Sequence, residues 1–291
     1  MKIIDAHLHL FDIDNGDYLW LKKENPPFWS DKPIINKNFT EQDIVLANDL
    51  EHKGFVHIEA GFDNNEPWRE IAWLESSCNT SFRSVASIDI TLNEQAFNQQ
   101  LTALLAYSSV VGCRYILDEQ ASALLTNDKV LNNLALLAKN SLSFDVQMSL
   151  ADNKAVNALC NVMTKYKNLS IIIDHAGWPP QQLMGQNSSV DNGNWLQGLT
   201  KVSQYRQCTI KCSGFEVVNR DYSAQWQSQV VNACIDCFGM NRVMLASNFP
   251  LCLFSHSYQN LWGNYKTQLN LKATELTIIC HDNAKRIYKF N

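Results

Sequence analysis

Short apolar runs recur along the whole chain, and their spacing predicts strands. They read Ile3–Leu10, Gly54–Phe62, Arg83–Ile90, Val110–Leu117, Ser143–Met148, Leu169–Ala176, Cys208–Ser213 and Arg242–Asn248. Most are continuous rather than alternating, as expected of strands covered on both faces. Between them the apolar period changes to that of a helix. Pro67–Cys78 carries Trp68, Ile71, Ala72, Trp73 and Leu74; Leu92–Tyr107 carries Phe97, Leu101, Leu104 and Leu105. The same period marks Lys129–Lys139, Lys154–Lys165 and Ser223–Phe238. Eight strands alternating with helices predict an α/β fold closed as a parallel (β/α)8 barrel. An open doubly wound sheet is the structural rival. It usually carries a glycine-rich phosphate turn, and neither G-x-G-x-x-G nor a Walker-type loop occurs among the 11 glycines.

Three connections are too long to be simple links. They are Phe11 to about Ala47, Gly177 to Trp195, and Leu251 to Trp262, and each follows a strand directly. In a barrel such segments rise from the catalytic face and roof the pocket. No linker, repeat or low-complexity tract interrupts the 291 residues, so the expectation is one domain over 1–291.

Composition narrows the partners. The chain is 46% hydrophobic and carries a formal net charge of −5, with no basic stripe of the kind nucleic acids require. No apolar run approaches the ~20 residues of a membrane span. Asp5 falls where a signal peptide needs its apolar stretch, so the expected location is the cytoplasm. The nine cysteines then read as reduced, mostly buried thiols. Cys234-x-x-Cys237 lies within an amphipathic segment, Val230 to Phe238, and has no second pair at zinc-ribbon spacing; it reads as helix packing.

The first strand ends Asp5-Ala6-His7-Leu8-His9. Alternation predicts Asp5, His7 and His9 on one face. Two adjacent imidazoles at the catalytic end of a first barrel strand can hold a cation or donate to a carbonyl. The sixth strand closes on Asp174-His175-Ala176-Gly177. There His175 is expected in the site, and Asp174, facing the other way, is expected to be a structural acceptor. The eighth closes on Ser247-Asn248-Phe249-Pro250, which sets a polar side chain at the pocket floor.

These pieces, taken in order, resemble amidohydrolase family 2, the TIM-barrel metal-dependent hydrolases, and within it the sugar-lactone and pyrone-lactone hydrolases. The matching residues are Ile4–Phe11, His57–Ala60, Val111–Leu117, Ser143–Gln147, Asp174–Pro179, Ile210–Phe215, Ser247–Pro250 and Asp282–Tyr288, so the likeness spans the chain. The resemblance implies a TIM-barrel hydrolase that opens a small, sugar-derived lactone by attack of water on its carbonyl. His7, His9 and His175 would polarise the carbonyl or ligate one divalent ion, zinc by preference; members that work without a tightly bound metal leave that open. The strand-five lysine that bridges two metals in binuclear members is replaced here by Asp145 and Gln147, which argues against a binuclear site. The implied partner is a small molecule, a lactone or sugar acid.

One position departs from the pattern. The family carries Asp where this chain has Asn248, and an amide neither accepts a proton at neutral pH nor ligates zinc well. Another group would have to serve as base (Glu59, Asp145, His175 or the loop residue His256), or the enzyme is slow or retuned, or the chain is a catalytically impaired ligand-binding relative. Asn248 can still orient a water or a substrate oxygen. A metal-dependent decarboxylase of the same superfamily is a further alternative.

Other residues carry two readings each. Arg114 offers its fork to a carboxylate or polyhydroxylated substrate, or pairs with an acid on a neighbouring strand. Glu59, in line with His57, is a site carboxyl or a barrel salt bridge. Gln147 donates to a sugar hydroxyl, and Lys211 shares a strand face with Ser213. The aromatics after strand one (Phe11, Trp20, Phe28, Trp29) stack on a sugar or simply pack the loop.

Overall fold

In the computed structural model, which describes residues 1–181 and 190–291, the eight strands form one parallel sheet in sequence order. They are β1 (Lys2–Leu8), β2 (Glu51–Ile58), β3 (Phe82–Ser87), β4 (Val110–Ile116), β5 (Ser143–Gln147), β6 (Ser170–Ile173), β7 (Cys208–Cys212) and β8 (Val243–Leu245). The sheet curls until its edges meet. Leu8 bridges Phe249, the Asn248 amide donates to the His7 carbonyl at 2.8 Å, and the His9 amide donates to Phe249 O at 2.6 Å. The molecule is therefore a (β/α)8 TIM barrel, as the alternating pattern predicts. The seam that closes it threads through His7, His9 and Asn248.

Each strand corresponds to a predicted run, but all eight stop one to four residues sooner at the carboxyl end, and β2 starts three residues earlier than its run. The apolar character continues past the last ladder bond because the loops at that face are themselves covered.

The helices are α1 (Trp68–Ser77), α2 (Glu94–Leu105), α3 (Ala121–Leu124), α4 (Asp128–Lys139), α5 (Asn153–Lys165), α6 (Val190–Ser203), α7 (Phe215–Val218), α8 (Ala224–Phe238), α9 (Tyr258–Gln268), α10 (Ala273–Thr277) and α11 (Asn283–Ile287). Their starts follow the capping chemistry of the sequence: Asn93, Asn127, Asp152 and Ser223 each accept from backbone N–H groups of the first turn. Their apolar stripes, such as Val156, Leu159, Val162 and Met163 on α5, bury against the outer face of the sheet. Cys234 is buried and Cys237 half-buried on α8.

The long connections roof the carboxyl end. Residues 11–47 fold back through short turns, pinned by Phe11 pairing with Phe39 and by the buried Lys32 ammonium, which donates to the carbonyls of Trp20, Lys22 and Asn25. The Leu251–Trp262 segment is only half a loop. A single 3-10 turn, Leu251–Phe254, leads into α9 at Tyr258, whose N-cap Ser257 the periodicity does not reveal. In the 177–195 connection, residues 182–189 lie outside the described residues and α6 begins at Val190.

The opposite end is closed by the carboxyl terminus. Ala284, Tyr288 and Phe290 pack with Ile4, Ala6, Val56, Ile58, Val85, Ile172, Met244 and Ala246 of the barrel interior.

Candidate active site

The three histidines converge. The His7 and His9 ring centroids are 5.0 Å apart, and those of His7 and His175 4.6 Å. His7 and His9 reach the same mouth because β1 is irregular: its register against β2 shifts between Asp5 and Leu8. That shift also corrects the expected face of Asp5. Its carboxyl accepts from the backbone of His7 at 3.1 Å and of Ser247 at 3.0 Å, so it braces the β1–β8 seam instead of joining the site. Burial pushes its pKa up to about 6.

His175 arrives by a different device. It begins a run of left-handed backbone, with φ of 55° at His175, 52° at Ala176, 66° at Gly177 and 56° at Trp178. Such a turn is costly for residues other than glycine. Here it brings two successive side chains, Asp174 and His175, to the barrel interior. The expectation that Asp174 faces away therefore fails, because strand alternation ends one residue before it.

Each imidazole has its Nδ1 engaged. His7 Nδ1 donates to Asp174 Oδ1 at 3.2 Å, His9 Nδ1 donates to Ile58 O at 2.7 Å, and His175 Nδ1 meets Ser213 Oγ at 3.1 Å. A ring whose Nδ1 carries the proton presents a bare Nε2. The Nε2 of His7 is buried with no hydrogen-bond partner. Burial is the main cause that holds His7 and His9 well below the usual imidazole pKa and puts His175 at about 3. The rings are neutral, the form that ligates metals. One ligand atom each from His7, Asp174 and His175 lie within 4.8 Å of one another.

Beneath the rings lies a buried charge cluster. Lys211 Nζ is 2.6 Å from Asp145 Oδ2 and 3.1 Å from Asp174 Oδ1, and Tyr288 donates to Asp145 Oδ2 at 2.8 Å. Burial would raise the Asp174 pKa, but the Lys211 ammonium and the His7 ring outweigh it and hold that carboxyl well below its usual range. Lys211 is thus structural support for the Asp174–His7 contact, and Asp145 is fully occupied beneath the site.

Above the rings opens a cavity of about 450 Å3. His9, His175 and Asn248 stand on its floor; Trp20, Trp29 and Trp178 stand in its walls. Trp178 stacks on His175 with centroids 4.7 Å apart. Glu59, Arg114 and Gln147 line it too. Arg114 takes the neighbouring-strand reading: Nε and Nη2 both lie 2.8 Å from Glu59 Oε1, and Nη2 also donates to Glu59 O. Gln147 accepts from Arg114 at 3.4 Å and donates toward Asp118. His57 turns outward to Glu70 on α1 at 3.0 Å. Loop residue His256 packs on Tyr222 and is not among the residues lining the cavity. Phe11 and Phe28 are not among them either; Phe11 packs on Tyr18 and Phe39.

Asn248 sits at the seam with a left-handed φ of 56°. Its Oδ1 lies 3.3 Å from His9 Nε2, and its Nδ2 donates to Glu216 Oε1 at 2.5 Å. Glu216, on the short helix α7 beyond β7, is a residue that sequence reasoning missed. Its carboxyl is buried, and burial pushes its pKa up to about 7 against the opposing Asn248 hydrogen bond and Arg220 charge. A lone acid after a strand carries no spacing signal; the available clue was the amide at 248, which needs an acceptor.

Several known proteins are similar to this chain. The Sinorhizobium fredii protein y4mH, itself uncharacterised, is 24% identical over 302 residues, covering 99% of each chain. The L-fucono-1,5-lactonase of Burkholderia multivorans is 23% identical over 188 residues, 61% of this chain and 62% of that one. A Burkholderia multivorans amidohydrolase solved with zinc bound superposes with a TM-score of 0.80 at 18% identity over 100% of both chains. The 2,6-dihydroxybenzoate decarboxylase from Rhizobium gives 0.65 at 12% identity over 99% of both. The two structural likenesses speak to fold alone. The family model described as Amidohydrolase matches residues 4–290, and the chain belongs to that family.

Proposed function

We propose that this chain is a hydrolase that opens a small, uncharged, sugar-derived lactone. One observation carries the reading: two neutral imidazoles, His9 and His175, stand at the floor of a tryptophan-walled cavity with the His7 ring packed against both, and the cavity's arginine already has its carboxylate. A dicarboxylated substrate would need a free cation in the walls. Among the described residues that line the cavity, Arg114 is the one cationic side chain, and Glu59 fills its fork. A neutral polyhydroxylated ring suits this surface better, with faces for Trp20, Trp29 or Trp178 and edges for Gln147, Asn64 and Asp118. The likeness to a fuconolactonase points the same way.

The donor set fits a single divalent ion. His7 would hold it by its unpartnered Nε2 with His175 beside it, one ligand atom of each lying within 4.8 Å of the other; His9 is the third imidazole at hand, and Asp174 orients His7 from behind as outer carboxylates do in such sites. Bound there, the ion would supply Lewis acidity toward the carbonyl and acidify a water. The chain's own residues do the rest. The Trp178 ring and the left-handed turn fix His175, Asn248 offers an amide where a water or ring oxygen can be oriented, and the tryptophans exclude bulk solvent from the reacting carbonyl.

The test is a panel of aldonolactones and a pyrone dicarboxylate followed with a pH indicator, on chelator-treated and on zinc-supplemented protein. Hydrolysis of a neutral lactone, lost in His9→Ala, is expected; turnover of the dicarboxylate in preference would overturn the substrate class. A second reading, a ligand-binding relative without chemistry, is favoured by Asn248. It predicts thermal stabilisation by sugar acids with no product from any lactone.

A further inference from the structure

The Asn248 amide stands between two partners, and their chemistry constrains which end it shows to each. On one side is His9. Its Nδ1 faces a backbone carbonyl at 2.7 Å, which can only accept, so the ring proton is there and Nε2 is a lone pair. On the other side is the Glu216 carboxyl, 2.5 Å away. With Nδ2 donating to Glu216, Oδ1 confronts His9 Nε2 at 3.3 Å, acceptor against acceptor. That arrangement is satisfied only when something electropositive shares the two, such as a cation or the O–H of a water. Turned by half a revolution, the same amide donates Nδ2 to His9 and offers Oδ1 to Glu216, and every atom is satisfied without a guest, provided Glu216 carries the proton.

We propose that Glu216 is a positioning residue that acts through Asn248. As a carboxylate it holds the amide oxygen toward His9, presenting a pair of acceptors to a water. As an acid it lets the amide turn and cap the His9 lone pair. The role is available to Glu216 because it is buried yet forms no ion pair among the described residues. The charged and titratable groups around it are Arg220 following α7, Tyr222 beyond it, Cys252 from the 3-10 turn and Tyr265 from α9. Arg220 is paired with Asp31 at 2.7 Å. Burial pushes the Cys252 thiol and both phenols upward, so none of them changes state around neutrality. Burial also places Glu216 itself at about 7, so the amide turns within the physiological range. The sign is that of a raised acid: protonated and capped on the acid side, ionised and open on the alkaline side.

The inference rests on the hydrolytic reading only for its activity arm. In protein with 15N-labelled asparagine, the Asn248 side-chain NH2 signals, assigned by their loss in Asn248→Ala, should move through one step centred near pH 7. Glu216→Gln should abolish the step. If a lactone substrate is found, its kcat/KM should rise about tenfold from pH 6 to pH 8, the change in ionised fraction of a group at 7, and the profile should flatten in Glu216→Gln. A flat Asn248 signal across pH 5.5–8.5 in the unmodified protein, or a step that survives in Glu216→Gln, would overturn the proposal. A silent lactone panel would remove the hydrolase reading while the amide titration still decides this one.

Discussion

Position 248 accepts asparagine and aspartate equally well as backbone. Its φ of 56° lies in the left-handed region, which both residues tolerate through their short polar side chains. Replacing the amide by the carboxylate that the resemblance implies at this position should therefore cost little in folding. It would not simply restore a base, because the new oxygen would stand about where Nδ2 now meets Glu216, 2.5 Å away. Two carboxyls that close share a proton and titrate as a pair. We expect Asn248→Asp alone to gain less lactone-hydrolysing activity than Asn248→Asp with Glu216→Gln, which exchanges amide and carboxyl across one hydrogen bond. The double variant's gain should approach the 10²–10⁴-fold that general-base assistance typically brings; equal kcat/KM in the two variants would show that Glu216 does not matter to position 248. At this scale His7, His9 and His175 were legible, because imidazoles at strand ends have few structural reasons to be there. Glu216 and the Asp174 orientation were not. Both depend on backbone turning out of alternation, and no periodicity encodes that.

Among elements, the strands were legible to within a few residues at each end, since most are continuous apolar runs between polar turns, and the five amphipathic helices followed from their stripes. The elements that escaped are those whose faces are mixed or whose helices are short: α3, α6, α7, α9 and the terminal turns. The turn from β7 into α7 shows how much such a short piece positions. Gly214 adopts φ 69°, and a Cβ there would lie 2.4 Å from His175 Nδ1 and 2.7 Å from its Cγ. The glycine is thus the surface on which the His175 ring rests, and it also aims Glu216 two residues on. Gly214→Ala should leave the far-UV circular dichroism unchanged but push His175 off Ser213 and from its stack on Trp178. On the single-ion reading proposed above, we expect at least a tenfold loss in zinc affinity by calorimetry, in the 10- to 100-fold range seen when supporting partners of metal-ligating histidines are removed. Zinc affinity equal to that of the unmodified protein would mean that the ring position is not set here.

On the scale of the whole molecule, the barrel was legible from the count and order of its elements, while the way its floor is closed was not. In the sequence the tail enters only as a piece of the resemblance, Asp282–Tyr288, with no structural task, yet Tyr288 is fully buried inside the barrel and its hydroxyl donates to Asp145 at 2.8 Å. Through Asp145, Lys211 and Asp174 that contact continues to His7, so the last residues of the chain support the same cluster that the first strand reaches. Tyr288→Phe keeps the ring and removes one donor to a buried carboxylate, which should cost about 1.5–3 kcal/mol of stability. Tyr288→Ala also empties the barrel floor between Ile4, Val56, Val85 and Met244; by comparison with other large aromatic truncations it should cost roughly 3–5 kcal/mol. Urea unfolding monitored by tryptophan fluorescence measures both. If the tail is integral to the barrel, the two variants should lower the midpoint of a single transition, and the alanine variant should lower it more. A separate early transition, or an alanine variant no worse than the phenylalanine one, would mean that the tail folds onto a barrel that is complete without it.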